Sequence, residues 1–212
     1  MIKKILLILI LLLIPAYSHA TEFAGAEYNV YGYNLKPEDC KKYIQKGNYY
    51  LRKFDNTYDK KLKPEYLKEA LKNYYLATKS HNDCIEARIG LGRIYDEMKL
   101  DKYAKEQFFF AYNVNSSNPE LNYRFGNFYY KRQYLTKARF HYEIAYKNGY
   151  ANLYDLNYKM ANTYNQLANS EKAAYHRKKA DNIRKKELEE AHKIHSLDDN
   201  NSNNSQYYLF VK

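Results

Sequence analysis

Residues 85–118, IEARIGLGRIYDEMKLDKYAKEQFFFAYNVNSSN, and residues 119–152, PELNYRFGNFYYKRQYLTKARFHYEIAYKNGYAN, decide the fold. Laid over one another they match Gly92 with Gly126, Tyr95 with Tyr129, Ala104 with Ala138, Phe108 with Tyr142 and Ala111 with Ala145, a step of 34 residues. A third copy follows at a step of 35, with Ala161, Tyr164, Ala173 and Ala180. Self-similarity at this period is the mark of a helix–turn–helix repeat array. Each copy divides into two amphipathic stretches: 85–98 with 102–114, 119–131 with 134–147, and 152–167 with 170 onward. Lys99-Leu100-Asp101, Asn115 to Asn118, Arg132-Gln133, Asn148-Gly149 and Ala168-Asn169 mark the turns.

The physical logic of the pattern is steric. A Gly or Ala where two helices cross removes the Cβ that would hold them apart, and the tyrosine three residues on fills the space beside it. Ala104, Ala138 and Ala173 serve the same close approach on the second helix. Phe108 and Tyr142, four residues further on, share that face and plug the gap between successive pairs. Each pair leaves an apolar face bare, which only the next pair covers.

An earlier copy spans 40–83 through Gly47, Tyr50, Ala70, Tyr74 and Ala77. Gly47 to Gly92 is 45 residues, eleven more than the period. The polar stretch Asp55 to Lys63, before Pro64 restarts a helix, is where a loop insertion is expected, because lengthening a surface loop costs little. The helix opening at Ser170 runs without Gly or Pro to about His195, and its charged surface (Arg177, Lys178, Lys179, Arg184, Lys185, Lys186, Glu187, Glu189, Glu190) suits the capping end of an array. The expected architecture is an all-α solenoid of about four repeats (40–83, 85–118, 119–152, 153–186) within residues 38–195, with a long C-terminal helix. Residues 21–37, with Gly25, Gly32 and Pro37, read as a linker. Residues 196–212 read as a disordered tail, whose last apolar run either docks or frays.

The ends and the charge bound the setting. Lys3 and Lys4 precede the unbroken apolar run Ile5 to Ile14, then Pro15 and the small-residue site Ser18-His19-Ala20, so residues 1–20 read as a secretory signal peptide. An uncleaved anchor is the alternative. Loss of Lys3 and Lys4 lowers the formal charge from +11 to +9. The expected location is the bacterial periplasm or outside the cell, where nucleic acid is not an expected partner and anionic lipid or envelope polymer is. Export also permits a disulfide. Cys40 lies seven residues before Gly47 and Cys84 eight before Gly92, so both fall at nearly equivalent places on neighbouring first helices. A bridge and two half-buried thiols both remain open.

The small residue, the tyrosine and the recurring alanines resemble the tetratricopeptide repeat family over about three quarters of the chain. The segments 85–118 and 119–152 resemble it closely; 153–186 departs at Arg177, where the plugging aromatic would stand, and 40–83 carries the insertion. The family's tryptophan is absent, and its closing proline is missing or displaced, Pro119 being nearest. The resemblance implies a right-handed superhelix whose inner groove, lined by first helices, binds an extended peptide. The groove positions it implies are Asn48, Arg93, Asn127 and Asn162, then Ile44, Ile89, Tyr123 and Tyr158, with Tyr130 and Lys131 pointing the same way. Asparagines offer donor and acceptor to a peptide backbone, tyrosines offer area at small entropic cost, and Arg93 and Lys131 suit a carboxylate.

Catalytic chemistry finds no footing in the sequence. Gly-rich phosphate loops, His-Glu-x-x-His, Gly-x-Ser-x-Gly and paired CxxC motifs are all missing. His192 and His195 share a helical turn without a nearby Cys, Asp198-Asp199-Asn200 lacks calcium-loop spacing, and His81, His141 and His176 fall on different helices. The expectation is an exported, cofactor-free, non-enzymatic adaptor or assembly factor holding a protein or peptide segment. The alternative is a basic protein held electrostatically on anionic lipid or polymer.

Overall fold

The computed structural model describes residues 34–199. The expected signal peptide, the expected linker as far as residue 33 and the expected tail from residue 200 lie outside the described residues. Every regular element among the described residues is helical: α1 (Asp39–Asn56), α2 (Leu62–Ser80), α3 (Ile85–Glu97), α4 (Asp101–Val114), α5 (Pro119–Lys131), α6 (Leu135–Ala145) with a π-helical turn at Tyr146–Tyr150, α7 (Tyr154–Gln166) and α8 (Ser170–Asp199). This is an all-α helical-repeat fold. The chain divides into two compact units, up to Phe128 and from Tyr129, so α5 contributes to both.

In the first unit, Tyr74 of α2 is clamped by two glycines. A Cβ on Gly47 would lie 2.8 Å from its ring, and one on Gly90 only 2.5 Å. Both helices therefore reach Tyr74 only because they carry no side chain there. The ring is buried to 1 % exposure, and its hydroxyl donates to Asn48 Oδ1 at 2.6 Å. Gly92 stands in the same relation to Phe108, at 2.6 Å. Phe108 stacks on Phe125 at 5.2 Å and meets Phe128 edge-on at 5.8 Å, so the plug expected from the sequence does join α4 to α5. The Sγ atoms of Cys40, at the start of α1, and Cys84, before α3, meet with their Cα atoms 7.1 Å apart.

The eleven surplus residues of the first repeat are not a long loop. Only residues 57–61 connect α1 to α2, and these helices have 18 and 19 residues against 13 and 14 for α3 and α4. The polar residues Asp55 and Asn56 complete α1, and helix α2 begins at Leu62, two residues before Pro64, which its first turn tolerates.

In the second unit, Tyr129 stacks on His141 of α6 at 5.5 Å and Tyr164 of α7 stacks on His176 of α8 at 5.6 Å, with rings 13° and 7° from parallel. Ala138, Ala145 and Ala180 are fully buried, as is Tyr142. Helix α8 stays packed as far as Ala180 and Ile183, and its side chains from Arg184 to Ile194 are exposed. The helix continues through residues 196–199, where the tail was expected to start, since Ser196-Leu197-Asp198-Asp199 holds neither Gly nor Pro to stop it.

The first helices α3, α5 and α7 end alike, whereas α1 ends on the extended Thr57. Lys99, Gln133 and Ala168 hold φ of 61°, 61° and 57°, the left-handed C′ conformation. The next N–H returns to the repeat tyrosine: Leu100 to Tyr95 O at 2.9 Å, Tyr134 to Tyr129 O at 3.0 Å, and Asn169 to Tyr164 O at 2.9 Å. The tyrosine thus packs with its ring and caps with its carbonyl.

Candidate functional site

The groove positions implied by the repeat pattern divide by burial. In the first unit, Ile89 and Tyr123 are 5 % and 8 % exposed and belong to the core. Ile44 is half-buried. Asn48 is exposed and accepts the Tyr74 hydroxyl, and Arg93 is half-buried with Nη2 2.5 Å from Asp55 Oδ1. This ion pair ties α3 to the end of α1 and offers a guanidinium already partly neutralised. Burial pushes the Tyr74 phenol well up, with Arg93 and Arg124 opposing, so it stays a neutral donor. Asn127 is half-buried. Beside Tyr123, Arg124 lies 5.1 Å from the ring and pairs with Glu120 at 2.6 Å.

The second unit gathers its positions into a more open patch. Tyr158 is 40 % exposed and stacks with Tyr154 one turn earlier, ring centroids 6.1 Å apart. Arg177 reaches from α8 to lie over Tyr158 at 5.1 Å and donates to Asn162 Oδ1 at 2.8 Å. Arg184, two turns on, lies over Tyr154 at 5.6 Å. Tyr154, Tyr158 and Asn162 are spaced i, i+4, i+8 and so share one face of α7, while Arg177 and Arg184 share one face of α8. The result is a strip of aromatic faces under two guanidinium groups, able to hold carboxylates by charge and apolar side chains by area. Elsewhere in this unit, Tyr130 is half-buried and accepts from Gln166 Nε2 at 3.2 Å, and Lys131 is exposed.

Sequence reasoning named Tyr158 and Asn162 as groove candidates but not Tyr154, and read Arg177 and Arg184 only as charged surface of a terminal helix, Arg177 also as a missing plug. The signal was present as the four-residue and seven-residue spacings. It also passed over the buried polar residues that fix this face. Asn157 is fully buried, donates to Ala151 O and Leu153 O at 2.9 Å each, and pairs with His176 Nδ1 at 3.0 Å. Burial lowers both His141 and His176 to about 4, Lys179 and Lys172 adding to the effect at His176. Both rings are therefore neutral packing elements at ordinary pH. The hydroxyl of Tyr164 donates to Glu143 Oε1. His192 Nδ1 bonds to Leu188 O of its own helix at 2.9 Å.

No protein-family model matches the chain, and no curated protein matches it in sequence. Among solved structures it is similar to that of PilF from Pseudomonas aeruginosa, at 18 % identity and TM-score 0.59, over 69 % of this chain and 61 % of that one. It is also similar to MamA, at 15 % identity and TM-score 0.57, over 81 % of this chain and 94 % of that one. The chain thus spans about 61 % of the length of the PilF structure. These likenesses show the fold, a tetratricopeptide-like helical repeat.

Proposed function

We propose that this protein is an exported, non-catalytic interaction module that holds a segment of a partner protein against the exposed faces of its first helices. The observation that carries the reading is the strip on α7, where Tyr154, Tyr158 and Asn162 stand beside Arg177 and Arg184 of α8. Its chemistry suits an acidic partner segment with aromatic or aliphatic anchors. Asn48 and Arg93, engaged with Tyr74 and Asp55 in the first unit, are secondary candidates for the same role, together with Asn127, Tyr130 and Lys131. Export rests on residues 1–20, and a Cys40–Cys84 bridge accords with it. The test is co-purification from envelope fractions with wild-type protein and with a Tyr158→Ala/Asn162→Ala/Arg177→Glu variant. The variant is expected to lose the partner. Undiminished recovery contradicts the reading.

A second reading, electrostatic attachment to anionic lipid or polymer, draws on the net charge of +11. On α8, however, Lys185 and Lys186 face Glu189 and Glu190 one turn on, at 3.9 and 3.8 Å, which tempers the basic run. Vesicle binding that collapses with added salt is the expected signature of this reading.

A further inference from the structure

The surplus length of the first repeat builds a second feature. Helix α2 has 19 residues and α3 has 13, and the short link 81–84 keeps their joined ends level. At ~1.5 Å per residue, α2 overruns α3 by roughly 9 Å at its other end. There Pro64, Leu67 and Leu71 of α2 line a half-open pocket edged by Met98, the residue at which α3 stops, with a volume of about 290 Å³. Leu71 is 1 % exposed and forms the base, while Leu67 and Met98 are half-buried. The remaining lining comes from Lys60, Lys63 and Lys68.

We propose that this pocket binds a fatty acid, the acyl chain in the cavity and the carboxylate among the three lysines. Pro64, Leu67, Leu71 and Met98 make the wall hydrocarbon and thioether, and the lysines at the rim supply donors alone, so the N–H groups of a peptide backbone buried here would be left unsatisfied. An acyl chain brings no such groups. The rim is cationic. Lys60 and Lys68 are exposed, and Lys63 Nζ sits 4.9 Å from the Phe54 ring centroid, its stem lying along apolar surface. The neighbouring carboxylate of Asp59 accepts the backbone N–H of Lys61 at 2.8 Å, and Glu65 does not line the cavity. A volume at the lower end of the ligand-pocket range, ~300 Å³, suits one chain of medium length and not a two-chain phospholipid. Met98 lets the wall adapt to its occupant.

Titration calorimetry of the purified full chain with decanoate and its shorter homologues, below their micellar concentrations, tests this. Saturable binding at one site is expected, with affinity rising roughly fourfold per added methylene until the cavity is full. A Lys60→Glu/Lys63→Glu/Lys68→Glu variant, all three on or near the surface, should weaken decanoate at least tenfold and leave decanol little changed. Leu67→Asp should abolish both while the far-ultraviolet circular dichroism is retained. Absence of saturable binding, or undiminished decanoate affinity in the lysine variant, overturns the proposal. So does stronger lysine-dependent binding of phosphatidylglycerol vesicles, or of an acidic leucine-anchored peptide, than of decanoate.

Discussion

Tyr74 shows how far single residues govern the first unit. Its ring occupies the space that Cβ atoms would take at Gly47 and Gly90, and its hydroxyl is bound by Asn48. Gly90→Ala is expected to destabilise by about 1–3 kcal/mol, because a fully buried ring has no direction in which to give way. Tyr74→Phe keeps the ring, loses one hydrogen bond and should cost about 1 kcal/mol. Urea unfolding checks both, and a neutral Gly90→Ala contradicts the clamp. The left-handed residues carry the opposite prediction. Gln133 and Ala168 adopt φ of 61° and 57° with a Cβ in place, a strain of roughly 1 kcal/mol that glycine does not feel. Gln133→Gly and Ala168→Gly should each stabilise the fold, by some tenths of that energy up to nearly all of it, and so raise the melting temperature. A fall at both sites counts against the cap assignment.

At the scale of elements, the second unit is held by two histidine–tyrosine stacks in register, Tyr129 with His141 and Tyr164 with His176. The tyrosines were legible in the sequence because they recur beside a small residue. The histidines were not, because polar residues in a charged chain read as solvated until their burial is known. Their neutrality has a consequence. Both sit at about 4 in the folded protein against 6.5 when unfolded, so below 6.5 the unfolded chain takes up protons that the folded one refuses. Their stabilisation is complete above pH 6.5 and is lost as pH falls towards 4, on the order of 1–3 kcal/mol for each. Urea midpoints between pH 7 and 5 should decline, and His141→Phe/His176→Phe should remove most of that decline. The strip on α7 was half legible for a related reason. Tyr158 and Asn162 follow from the repeat register, whereas Arg177 and Arg184 come from a helix whose departure from the pattern read only as the end of an array.

For the whole molecule, the period of 34 to 35 residues carried the fold, since three matched crossings leave little else for the chain to do. What it did not locate was the surplus in the first repeat. Composition made Asp55 to Lys63 look like loop, but α1 and α2 absorb most of the extra length as helix, and the overrun leaves a pocket. A Cys40–Cys84 bridge would span a sequence separation of 44, worth on the order of 4 kcal/mol in the chain-entropy picture. Protein isolated from cells with its thiols trapped, denatured and left unreduced should then show no alkylatable thiol, and two alkylated cysteines would exclude the bridge. The claim on which the functional account rests is that partners meet first helices. Photo-crosslinking in living cells tests it most directly, with a benzophenone amino acid at Tyr158 on α7 and, separately, at Phe140 on α6, which are 40 % and 50 % exposed. The account predicts a discrete crosslinked partner from position 158 that disappears with Arg177→Glu, and none from position 140. Crosslinking from 140 alone, or equally from both, would contradict it.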